Sequence, residues 1–239
     1  MTSHAPLDKN VHRDLRVRTD VGAALGDAVM ATLTVPSEFR SVQGHFPILF
    51  RREPGQGDFM ALALFGFENG ENLMLDGDRW DARYRPWSLA IQPFLVGRPV
   101  GGEGPGQVHI DLDHPRIAQG GEGVRLFDED GMATPYLDAI AERLGALDEG
   151  YRASGEFFAA LRDHDLLEPF TLEVPLTDGS KHSLVGFHII DEAKLAALGA
   201  DTLGKLHAAG HLMPIFMALA SLSQISALVE RKNRRTRGG

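Results

Sequence analysis

The spacing of apolar residues changes character near residue 120, and that change limits the folds open to the chain. Before it, short β-rich runs are punctuated by glycine, proline and aspartate, the pattern of strands joined by tight turns. After it, Leu137, Ile140, Ala141, Leu144, Leu147 and Tyr151 recur at three- and four-residue spacing, which predicts an amphipathic helix continuing through Phe157, Phe158 and Leu161. Thr134 and Pro135 supply its cap and its first position.

Early strands are expected at Ala31–Val35, Phe46–Arg51, Phe59–Phe67, Arg79–Tyr84, Leu89–Val96 and Val108–Leu112. Residues 53–58 read as a hairpin loop, and the glycine- and proline-rich 97–107 segment as an exposed one. A late hairpin, Phe170–Leu176 with Ser183–Ile190, turns about Thr177–Ser180. Helices are expected after the caps Asp191 and Asp201, and a last helix holds Pro214 in its first turn and ends near Val229. Strands early and helices late give an α+β class, with one mainly antiparallel sheet from the N-terminal half and helices mostly from the C-terminal half. The organisation expected is an N-terminal arm over 1–30, a single domain over 31–230 and a basic flexible tail over 231–239.

Several chemistries drop out on composition. With no cysteine, disulfides, thiolate metal sites and Cys nucleophiles are excluded. A net charge of −9 argues against a nucleic-acid partner, because neutralising phosphates needs a broad basic face and the only basic cluster is the C-terminal run. No uncharged apolar run approaches the ~18 residues of a membrane span. The longest, Leu212–Val229, contains Pro214, Ser221, Ser223, Gln224 and Ser226 and reads as a buried helix, with homo-oligomerisation through it as a second reading. A cytoplasmic location follows as the expectation.

Two stretches could wall a cleft. VPSEFRSVQGHFPILF (35–50) and the run from Tyr84 to Phe94 set aromatics and prolines beside Arg and His. Arg40, His45, Phe46, Tyr84, Arg85 and Trp87 are the candidate ligand-binding residues, aromatics stacking on a ligand while Arg holds a carboxylate. Aromatic and proline packing, common in ordinary cores, is the competing reading of the same residues.

His109-Ile110-Asp111 has the His-x-Asp form of iron(II)/2-oxoglutarate oxygenases, for which His188 or His182 would be the distal ligand. A strand-end His and a turn-forming Asp is the competing reading, and no Arg follows the distal His to hold the cosubstrate. His207 and His211 have helical zinc spacing, but Gly210 between them reads as a helix end. The acidic clusters at 76–81, 111–113 and 128–130 read as solvated turns rather than calcium loops. Neither a phosphate loop nor a Gly-x-Ser-x-Gly elbow is present.

Taken in order, VPSEFRSVQGHFPILF, FMALALFGFENGENLMLDGDRWDARYRPWSLAIQPF, IDLDHPRI, LFDEDGMATPYL, LLEPFTLEV and GFHIIDEAKLAAL resemble the SapC family of bacterial proteins, over roughly Leu33 to Leu228. The family takes its name from a surface-layer locus. Its members often lie beside genes for TonB-dependent receptors, flavin-dependent tryptophan halogenases and cupin-like oxygenases. The resemblance brings no catalytic residue with it. It implies a non-enzymatic accessory or peptide/protein-binding module without a cofactor, serving a surface-layer or TonB-dependent uptake system. The alternative is an oxygenase using iron(II) and 2-oxoglutarate.

Overall fold

A computed structural model describes residues 3–52, 58–98, 106–118, 121–175, 179 and 181–238. Most of the 53–58 and 97–107 loops and of the 177–180 turn lies outside the described residues. Strands β1 (His4–Pro6), β2 (Arg16–Val17), β3 (Ala31–Thr34), β4 (Ile48–Arg52), β5 (Phe59–Leu64) and β6 (Leu75–Asp76) come first. They are followed by β7 (Arg79–Trp80), β8 (Phe94–Gly97), β9 (Gln107–Asp111), β10 (Val124–Arg125), β11 (Leu167–Pro175) and β12 (Lys181–Ile190). The helices are α1 (Phe39–Val42), α2 (Trp87–Ala90), α3 (Pro135–Asp163), α4 (Glu192–Ala196), α5 (Ala200–Ala208), α6 (Leu212–Ser221) and α7 (Gln224–Gly238).

The chain forms two compact units. Unit 1 comprises Met1–Ala28, Leu75–Trp80 and Trp87–Glu149, and unit 2 comprises Val29–Met74, Asp81–Pro86 and Gly150–Gly239.

Unit 2 is built on a five-stranded antiparallel sheet, β11-β12-β4-β5-β3. Its central strands are apolar on both faces: Ile48, Leu49 and Phe50 of β4 and Ala61, Leu62, Ala63 and Leu64 of β5 are buried. Such continuous burial requires cover on both sides. The second half of α3 provides some of it, setting Phe158 edge-on to Phe50 at 6.0 Å and Phe157 edge-on to Phe39 at 6.0 Å. Helix α6 lies against β4 and β12, where the Ile48 N–H donates to the buried Ser221 Oγ at 2.8 Å.

Unit 1 holds the smaller sheets β1-β9-β8, β10-β2 and β6-β7. Its interior contains an ion pair, Arg116 with Asp27 at 2.7 Å, whose side chains are 2% and 1% exposed.

The α+β class stands, but the single sheet does not: there are several sheets, and helices α1 and α2 lie in the N-terminal half. Leu89–Val96, expected as one strand, opens in α2 and becomes β8 only at Phe94. Pro93 has no N–H to give a ladder, so pairing begins after it. Of Arg79–Tyr84, only Arg79 and Trp80 pair as a strand. In the expected arm, β1 pairs with β9 and β2 with β10, partners about a hundred residues away that leave no local period. Asp191 caps α4 as expected, accepting the Lys194 N–H at 2.9 Å, whereas α5 starts from Gly199 rather than Asp201.

The basic run read as a flexible tail continues helix α7. Arg231 reaches Asp81 at 2.6 Å, Lys232 sits between Glu68 at 2.8 Å and Glu71 at 2.6 Å, and Arg235 donates to the Asn72 carbonyl at 3.1 Å. Ionic docking rather than apolar burial fixes it. By length and composition alone, Leu212–Arg237 is apolar enough to cross a membrane, with a mean hydropathy of 1.8 in its best window. It breaks into α6 and α7 at Leu222-Ser223; Ile215, Ala218, Ser221 and Leu228 are buried in unit 2, but only 22% of the apolar window is buried, so the buried-helix expectation holds for one face alone.

Candidate functional site

The stretch 35–50 folds so that its apolar residues turn inward. Val35, Phe39, Val42, Phe46, Ile48, Leu49 and Phe50 are each at most 1% exposed. The single turn of α1 then leaves Arg40 pointing outward. Across from it, Gly150, Ala153 and Phe157 line up on one face of α3 at three- and four-residue spacing. Gly150 is required by close approach: a Cβ there would lie 2.7 Å from Val35 Cγ2 and 2.8 Å from Ser37 Oγ. Met213 and Met217, one turn apart on α6, form the remaining wall.

These walls enclose a groove of about 400 Å³ in unit 2. Phe157 is its floor, with the ring of His211 edge-on at 5.8 Å. Arg40 and Glu156 are exposed at the groove, and among the described residues neither forms an ion pair. The apolar surface continues outward along α6, where Met213 is 53% and Phe216 52% exposed.

The other cleft candidates are placed differently. Phe46 is fully buried, edge-on to Phe65 at 5.0 Å, and packs the core instead of facing a ligand. Half-buried Tyr84 donates its hydroxyl to Glu38 Oε1 at 2.7 Å, and Thr34 donates to Oε2 at 2.8 Å; Glu38 itself is buried. His45 lies nearly parallel to the Tyr84 ring, centroids 6.5 Å apart. Arg85, half-buried, follows Tyr84 in unit 2, while Trp87 opens α2 in unit 1.

Burial lowers the pKa of His45 from its ordinary 6.5, and the charge of Arg83 lowers it further. The unfolded chain therefore takes up this proton first as pH falls. Stabilisation from the neutral ring is present above pH 6.5 and is lost below it. His114 and His188 are shifted in the same direction, again by burial first. Urea midpoints are expected to fall from about pH 7 to about pH 5, and less steeply in His45→Gln. An unchanged slope in that variant would remove His45 as a source.

Of the oxygenase candidates, His109 and Asp111 lie on β9 in unit 1, and His182 and His188 on β12 in unit 2. The His109 ring covers Gly97, where a Cβ would come within 2.0 Å of it. Asp111 accepts the Asp113 N–H at 3.1 Å and stands 3.8 Å from His4. His182 contacts Glu68 at 3.0 Å, and His188 packs edge-on to Phe59 at 4.9 Å. Gly210, at φ 76°, separates the end of α5 from His211, which precedes α6. Among the described residues, no three His, Cys, Asp or Glu side chains are grouped to hold a metal.

A family model for SapC matches residues 7–228. The chain belongs to the SapC family. No curated protein and no solved structure matches it.

In this SapC protein the groove offers an apolar trough and two charges of opposite sign, neither ion-paired among the described residues. That combination can hold a hydrophobic side chain and orient the polar groups on either side of it. The sequence points to Arg40, but not to the facing wall of Gly150, Ala153, Glu156, Met213 and Met217. The local signal was there in small residues breaking the Leu-rich stripe of α3 and in two methionines at i and i+4.

Proposed function

We propose that this SapC protein is a non-enzymatic binding module that takes a short peptide segment of a partner protein into the α1-α3-α6 groove. The reading rests on one observation: Phe157, Met213 and Met217 form an adaptable apolar trough beside Arg40 and Glu156, neither of which forms an ion pair among the described residues. The segment that fits carries a large apolar residue flanked by one acidic and one basic side chain. The assignment to a surface-layer or TonB-dependent uptake system rests on the family resemblance alone.

Selection of a displayed random-peptide library on the full chain tests this, with Ala153→Trp as the counter-target. Ala153 is exposed on α3, so the indole fills the groove without disturbing the core. Enriched peptides are expected to bind the variant at least about tenfold more weakly, as for a blocked hot spot. An empty selection, or peptides that bind both proteins alike, would overturn the proposal.

A further inference from the structure

We propose that unit 2 carries a second site, independent of the peptide groove: a pocket for a small aryl or alkyl monocarboxylate between the central strands β12, β4 and β5 of the sheet and the end of α3. The register builds it. His188 of β12 stands opposite Phe50, and Arg52 of β4 stands opposite Phe59. With side chains alternating along a strand, Phe50 and Arg52 share a face, the one on which Phe50 meets Phe158 of α3. The chain then leaves α3 through Asp165 and returns in β11, closing a cavity of about 230 Å³ over Phe59, Leu161 and Leu167. That is smaller than a pocket for a drug-sized ligand.

Charge balance selects an anion. Four titratable side chains line the cavity: Arg52, Arg162, Asp165 and His188. Arg162 is bridged to Asp58, and Asp165 is held by Lys194 Nζ at 2.6 Å, so each of these charges is already matched. Among the described residues Arg52 has no carboxylate partner. Its guanidinium carbon sits 4.9 Å from the Phe59 ring centroid, which fixes the cation against the aromatic wall and leaves its N–H edge for a ligand.

His188 supplies the second polar group. Its Nδ1 is buried with no hydrogen-bond partner among the described residues, an arrangement that folding alone does not favour. Burial, and after it the charge of Arg52, lowers its pKa and favours the neutral ring. The His188 ring lines the cavity, so the neutral imidazole stands beside the bound carboxylate while Arg52 donates to it. The apolar body of the ligand then rests on Phe59 and Leu167.

The experiment follows the His188 imidazole by NMR in the full chain during titration with phenylacetate, the signal being assigned by its loss in His188→Gln. A saturable shift at His188 is expected. Affinity should fall at least about tenfold in Arg52→Gln, which removes the charge at an exposed position, and about as much for the neutral 2-phenylethanol. Arg40→Gln, in the peptide groove, should leave it unchanged. No saturable shift at millimolar phenylacetate, equal binding of 2-phenylethanol, retained affinity in Arg52→Gln, or loss in Arg40→Gln would each overturn the site. Failure of the peptide selection leaves these outcomes untouched.

Discussion

Replacing Arg116 with alanine is expected to lower the unfolding free energy by about 3–5 kcal/mol, the cost of leaving a buried charge without its partner. The side chain engages Asp27 through both carboxylate oxygens, at 2.8 and 2.7 Å. Its other terminal nitrogen donates to the carbonyls of Arg18 at 3.0 Å and Asp20 at 2.7 Å. Asp27 in turn accepts the Gly22 N–H at 2.9 Å, so one guanidinium ties three points of the 18–27 segment together. Truncation removes every one of these donors at once, and water cannot replace them at 1% and 2% exposure. Arg116→Lys should recover little, because one ammonium nitrogen cannot reach both the Asp27 carboxylate and the Arg18 and Asp20 carbonyls, which the guanidinium meets with its two terminal nitrogens. The double variant Asp27→Leu/Arg116→Met should be less destabilised than Arg116→Ala, since no charge remains buried.

The assay is direct because both tryptophans of the chain, Trp80 and Trp87, belong to unit 1. Urea unfolding followed by tryptophan fluorescence therefore reports on the unit that contains the pair. A loss below about 1 kcal/mol would mean that the pair is not desolvated as its burial indicates.

How much of this was legible in the sequence depends on the distance over which each element is determined. Helix α3 was legible because its period is local, and so was the Asp191 cap, whose partner is three residues away. Strands β1 and β2 are three and two residues long and exist only through pairing with β9 and β10, so no window of sequence shows them. The helical state of Arg231–Arg237 depends on Glu68, Glu71, Asn72 and Asp81, again far along the chain. The site divides in the same way. Arg40 stood out beside its prolines and aromatics, but Phe46 belongs to the same apolar stretch and goes to the core. His45 and Tyr84 face each other, and Tyr84 spends its hydroxyl on a buried carboxylate. Composition alone cannot separate an aromatic that faces a ligand from one that faces another aromatic.

Phe157 is where the core of unit 2 and the groove become the same side chain, and Phe157→Ala is expected to cost about 3–5 kcal/mol. The ring is 1% exposed and packs against Phe39 at 6.0 Å, Phe158 at 5.4 Å and His211 at 5.8 Å. Through Phe39 and Phe158 it couples α3 to Phe50 and so to the middle of the sheet. Alanine leaves a cavity that these neighbours cannot all close, since Phe39 and Phe50 are themselves fully enclosed. Phe157→Leu keeps much of the volume and should cost less than about 2 kcal/mol. Because unit 2 lacks tryptophan, far-UV circular dichroism in urea is the suitable measure of its unfolding. The leucine variant then separates the two roles of the ring. With the fold retained, it should still weaken a groove-binding peptide, because the shorter, branched side chain reshapes the floor under the groove. A variant that binds the peptide as the native chain does would show that the groove is closed by Met213 and Met217 alone, with Phe157 serving only the core.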